Sequence, residues 1–168
     1  VYTAQRDALT GLFNKQYTEE FINHILEEQQ LLQLHAFLIM DVDKFKSVND
    51  TYGHAVGDIV LEQFGKLLKS PFRGYDIVGR IGGDEFVVLM KNVGTKETAY
   101  ARVDEFVKKV RDFKYEEMDG KGVTTSIGLA FAYEDGDCYM DLYKAADVEL
   151  YQAKKAGGDG FYVREKKE

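Results

Sequence analysis

Residues 75–91 read Tyr75-Asp76-Ile77-Val78-Gly79-Arg80-Ile81-Gly82-Gly83-Asp84-Glu85-Phe86-Val87-Val88-Leu89-Met90-Lys91. Two apolar runs, 75–80 and 85–91, flank the glycine pair. That pattern predicts a β-hairpin. Working outward, helical periodicity predicts helices over 15–30, 55–69, 95–113 and 139–156. Their apolar stripes are Tyr17/Phe21/Ile22/Ile25/Leu26, Val56/Ile59/Val60/Phe64/Leu67/Leu68, Ala99/Val103/Phe106/Val107/Val110 and Leu142/Ala146/Leu150/Ala153. Residues 35–42 read as a buried strand, 122–132 as a β-rich run and 160–165 as a last strand. One hairpin among helix-separated strands predicts an α/β (α+β) fold: a mixed sheet with helices packed on it, related to ferredoxin-like βαβ units.

The chain has 168 residues, which is one domain's worth. Residues 1–13 read as a short lead and 14–168 as the domain. Hydrophobic residues make up 45% and charged residues 30%, which excludes wholesale disorder. A net charge of −7 makes a poor general binder of DNA or RNA phosphate, so no nucleic-acid partner is expected. It leaves room for a nucleotide held through a metal ion. The single Cys138 excludes an intrachain disulfide and a cysteine-rich zinc site. No apolar run approaches the length of a membrane span. The chain starts at Val1, so it is read as a piece of a longer protein.

Three clusters carry chemistry. Asp41-Val42-Asp43-Lys44-Phe45-Lys46 places two acids where an apolar strand ends. Alternation puts Asp41 and Asp43 on one face, and carboxylates beyond a strand end suit Mg²⁺ shared with substrate phosphate. The same acids also read as a helix cap. Gly82-Gly83-Asp84-Glu85-Phe86 combines glycines that permit close backbone approach with two acids at a hairpin tip. By itself it also reads as a plain turn. Together, the two clusters have the layout that metal-assisted phosphoryl transfer requires. The third, Asn49-Asp50 through Gly57-Asp58, offers an amide and a carboxylate that suit a guanine edge, or else a loop capping a helix that starts near Ala55.

These residues resemble the GGDEF family, the diguanylate cyclases. Gly82-Gly83-Asp84-Glu85-Phe86 matches the name-giving signature. Arg6 to Asn14, Asp41 to Lys46, Asn49 to Asp58, Ser126 to Ala130 and Ala146 to Lys154 resemble further family blocks, in family order. The resemblance implies a five-stranded sheet flanked by helices, similar to the palm of polymerases and nucleotidyl cyclases. It implies condensation of two GTP into cyclic di-GMP and two pyrophosphates, with a second GGDEF domain facing the first. It further implies Asp41, Asp84 and the Val42 carbonyl as ligands of Mg²⁺ (or Mn²⁺), and Asp84 or Glu85 as the group assisting deprotonation of the 3′-hydroxyl. Asn49 and Asp58 would read guanine. Amides near Phe45 and Lys46, the Gly82-Gly83 turn and Lys154 would bind substrate. Arg73-Gly74-Tyr75-Asp76, five residues before Gly82, resembles an inhibitory Arg-x-x-Asp site for the product. An upstream sensory or receiver domain and a bacterial cytoplasmic setting are implied, in a parent that can be membrane-anchored.

One position departs from the family pattern. Gly158 stands where an arginine near the triphosphate is usual, and Lys155 is its candidate substitute. That loss predicts weaker GTP binding or slower turnover. It also favours the alternative of a GGDEF module that senses GTP or cyclic di-GMP. A third reading is a GTP-dependent partner of a phosphodiesterase domain.

Overall fold

Strand β1 (Ala36–Val42) is covered on both faces, which explains its nearly unbroken apolar run. The computed structural model describes residues 2–28, 33–72, 74 and 76–164. Short helix α1 (Tyr2–Gln5) and α2 (Lys15–Glu27) precede β1. Then come α3 (Phe45–Tyr52), α4 (His54–Leu68), β2 (Ile77–Arg80), β3 (Glu85–Met90) and α5 (Lys96–Asp112). After a 3₁₀ turn at Glu116–Met118 follow β4 (Thr125–Phe131), α6 (Tyr139–Lys155) and β5 (Gly160–Val163). The far ends of the expected helix 15–30 and of strands 75–80 and 160–165 run into residues outside the described set, as does Arg73.

The strands form one mixed sheet in the order β2-β3-β1-β4-β5. Pairing is antiparallel except between β4 and β5, where α6 supplies the long crossover that parallel neighbours need. Alternate residues of the central strands feed two cores. Leu38, Met40, Phe86, Val88 and Leu129 pack with α4 and α5. Phe37, Ile39, Val87 and Leu89 pack with α2 and α6. The predicted stripes of α5 and α6 are buried throughout.

Two expectations change. The segment read as an Asn/Asp/Gly loop is helix α3, separated from α4 by Gly53 alone at φ 93°. Its apolar residues Phe45, Val48 and Tyr52 make less than one clear stripe, which is too short to register as periodic. Ile59 lies at the margin of α4 and is 39% exposed, because the buried stripe runs Val60, Leu61, Phe64 and Leu68.

Candidate active site at the end of β1

Asp41 is the penultimate residue of β1. Two residues after β1 ends, Lys44 adopts a left-handed conformation (φ 54°) and turns the chain into α3. That helix has no side-chain cap hydrogen bond, and its first residues, Phe45 and Lys46, line the space beyond β1. The hairpin tip is built by Arg80. Its Nε donates to the carbonyls of Gly82 (3.1 Å) and Gly83 (3.0 Å), and Nη2 donates to Gly83 (2.8 Å). Nη1 donates to Asp7 at 3.1 Å, and Asp7 also accepts from the amide and hydroxyl of Thr10. The planar guanidinium thus fixes the glycine turn that carries Asp84. Gly82 and Gly83 are exposed and shape this turn. Register pairs Asp41 with Glu85 and so brings Asp84 beside Asp41.

A cavity of about 520 Å³ gathers Asp41, Val42, Phe45, Lys46, Asp84 and Lys154. Burial pushes the Asp41 carboxyl up to about 6, even though Lys154 pairs with it. Burial also raises Asp84. Burial works against the Lys154 ammonium, but the bond to Asp41 more than offsets it and holds Lys154 above its usual range. Oδ1 of Asp41 is buried without a hydrogen-bond partner. An orphaned carboxylate oxygen beside a second half-buried carboxylate fits a divalent cation. Among the described residues no group of three or more His, Cys, Asp or Glu is arranged to hold a metal ion by itself. Mg²⁺ takes one or two protein carboxylates and completes its shell with water and substrate phosphate.

Asp43 does not share the role of Asp41. Its carboxylate accepts from Thr124 Oγ1 (2.6 Å), Ser126 Oγ (2.5 Å) and the Asp159 amide (2.9 Å). It therefore ties the end of β1 to β4 and to the loop after α6. Gly158 in that loop has φ +75°, and a Cβ there would lie 2.8 Å from Asp43 Oδ2. The packing excludes a side chain at 158. Lys155 lies over the Tyr151 ring at 5.9 Å and does not line the cavity.

The other candidates lie around this centre. Asn49 on α3 carries a buried Oδ1 without a hydrogen-bond partner. A Cβ on Gly57 would come within 1.9 Å of that oxygen, so only glycine leaves room for it. Asp58 follows Gly57 on α4 and is exposed. Glu85 is turned away from the cavity, and its Oε1 accepts a hydrogen bond from Tyr143 on α6. Asp76 is buried, accepts from the Lys91 amide at 3.0 Å and faces Arg102 at 3.8 Å. Its sequence partner Arg73 lies outside the described residues. Sequence reasoning missed Arg80 and Tyr143. Arg80 stands two residues before Gly82 in the hairpin stretch itself, and that was the available signal.

Known proteins resemble this chain closely. The family described as "Diguanylate cyclase, GGDEF domain" matches residues 4–160. The "Probable diguanylate cyclase DgcT" of Escherichia coli (strain K12) is 34% identical over 166 residues, covering 96% of this chain and 36% of that protein. "Diguanylate cyclase DgcS" of Shewanella oneidensis is 38% identical over 155 residues, covering 92% and 51%. The chain thus spans about a third to a half of the length of these relatives. The GGDEF domain of TpbB (YfiN) from Pseudomonas aeruginosa superposes with a TM-score of 0.87 at 32% identity, covering 95% of this chain and 94% of that one. The five-stranded mixed sheet, the hairpin signature and these matches lead to one conclusion: the chain belongs to the GGDEF domain family of diguanylate cyclases.

Proposed function

We propose that this domain condenses two GTP into cyclic di-GMP and two pyrophosphates, paired with a second copy. The observation that carries the reading is the single cavity joining Asp41, Asp84, the α3 N-terminus and Lys154. The family generally uses a divalent metal ion. Asp41, Asp84 and the Val42 carbonyl would hold Mg²⁺ or Mn²⁺. When bound, the ion neutralises triphosphate charge and acidifies the attacking hydroxyl. Amides of Phe45 and Lys46, with Lys46 and Lys154, bind and orient the phosphates. The buried amide oxygen of Asn49 and the carboxylate of Asp58 read the guanine edge. The 3′-hydroxyl of each GTP attacks the α-phosphate of the other. Of the two candidate acids, Asp84 faces this cavity and takes the hydroxyl proton, whereas Glu85 is held away by Tyr143, and pyrophosphate leaves. Each domain holds one GTP, so a lone domain is half of the site.

Product restrains the reaction through Arg73 and Asp76, the guanidinium addressing phosphate and guanine. Asp76 is held by its bonds to the Lys91 amide and Arg102. Residues 1–13 would transmit a signal from an upstream sensory or receiver domain in the bacterial cytoplasm. Among the described residues no helix is long and apolar enough to cross a membrane. The deciding experiment incubates the artificially dimerised domain with GTP and Mg²⁺ and assays cyclic di-GMP. No product means that the cyclase reading is wrong.

The closed approach at Gly158 favours a second reading, a module that binds GTP or cyclic di-GMP without turnover. Calorimetry separates the two. A sensor binds nucleotide that stays intact, and Arg73→Ala abolishes product binding while leaving GTP binding alone.

A further inference from the structure

Asp41 and Glu85 are directly opposed on antiparallel strands, so both side chains leave the same face of the sheet. Helix α6 packs over that face. The two carboxylates nevertheless part along it. Asp41 pairs with Lys154 in the last turn of α6, whereas Glu85 accepts the hydroxyl hydrogen of Tyr143 near its start. The eleven residue steps from Tyr143 to Lys154 span about 16 Å of helix. Glu85 thereby enters a separate cavity of about 260 Å³, behind the hairpin, with Lys15, Glu19, Ile81, Tyr139 and Tyr143. Burial, together with the bond to Glu85, keeps the Tyr143 phenol well above its usual range, so it stays a donor.

Without that bond Glu85 would be a long, rotatable chain rooted beside Asp41 and Asp84. Swinging toward them, it would add a third negative charge to a cavity balanced by Lys154 and a cation. We propose that Tyr143 is a positioning residue: its hydroxyl fixes the Glu85 carboxylate against α6 and so keeps that charge out of the cavity of Asp41 and Asp84. This rests on the cyclase reading above. Among the described residues no other hydroxyl is bonded to Glu85, and no part of the signature motif specifies Tyr143.

Tyr143→Phe removes one oxygen and keeps the ring packed beside Tyr139, 5.9 Å away. In the dimerised domain it lowers kcat for cyclic di-GMP roughly tenfold, the scale of a lost hydrogen bond to a charged group, and leaves KM for GTP unchanged. In a Glu85→Gln background the same change has no further effect. An unchanged or raised kcat, or an equal loss in both backgrounds, overturns the proposal. A wild-type domain that makes no product defeats the cyclase reading instead. In that case a crystal structure of Tyr143→Phe decides the positional claim. Glu85 displaced from α6 supports it, and Glu85 unmoved overturns it.

Discussion

Asp41 carries an ionised carboxylate that burial disfavours, with one oxygen left unpartnered. Its folded pKa of about 6 lies above the ordinary aspartate value of 3.8, so the ionised form destabilises the fold near neutral pH. That penalty fades as pH falls from about 6 toward 3.8. Asp41→Asn removes the charge and strands only Lys154, whose side chain is half exposed. The variant should gain about 1–2 kcal/mol in denaturant unfolding near neutral pH while losing cyclic di-GMP synthesis. For the wild type, protons compete with the cation for Asp41, so turnover in a pH series should fall toward acid pH, and more Mg²⁺ should move that fall to lower pH. Gly158 gives the opposite kind of test. Its left-handed φ and the Asp43 carboxylate, pinned by three hydrogen bonds, leave no slack for a Cβ. Gly158→Ala should destabilise by about 1–3 kcal/mol, read from the urea midpoint, so restoring an arginine there does not simply restore a phosphate contact.

At the scale of elements, the Arg80 guanidinium joins three segments: the end of β2, the glycine turn, and the loop 7–13 before α2. Arg80→Ala should cost about 2–3 kcal/mol and raise KM for GTP, because Asp84 loses its fixed turn. A double-mutant cycle with Asp7→Ala measures how much of that loss runs through the lead segment. Strongly additive losses would contradict the coupling. The long amphipathic helices were legible because their partners repeat every three or four residues, as Val103, Phe106, Val107 and Val110 do on α5. The acids of the cavity were legible because each sits at a strand end or turn. Helix α3 was not, since a left-handed Lys44 starts it and Gly53 stops it after two turns. The bonds Arg80–Asp7 and Tyr143–Glu85 were not either. Their partners lie 73 and 58 residues apart, and local periodicity carries no trace of such a contact.

For the molecule as a whole, the cyclase reading has the cavity at one end of the sheet hold one GTP with its own leaving group, while the attacking hydroxyl must come from the GTP of a second copy. Turnover should therefore rise with protein concentration, and each copy carries −7, so low salt should slow the encounter. Fusing a dimeric coiled coil to the N-terminus should raise specific activity at nanomolar protein and abolish the concentration dependence. Specific activity that is independent of concentration in the unfused domain would argue against a shared site.

The sheet order has a bearing on biosynthesis. Strand β1 is flanked by β3 and β4, so its two edges are satisfied only by residues 85–90 and 125–131. On a ribosome adding roughly 5–20 residues per second, β1 waits several seconds with the edge that β4 will cover left open. The nascent chain is thus most exposed to aggregation and chaperone capture in this interval. Synonymous changes that slow translation between residues 42 and 131 should lower soluble yield without altering a single contact of the finished protein.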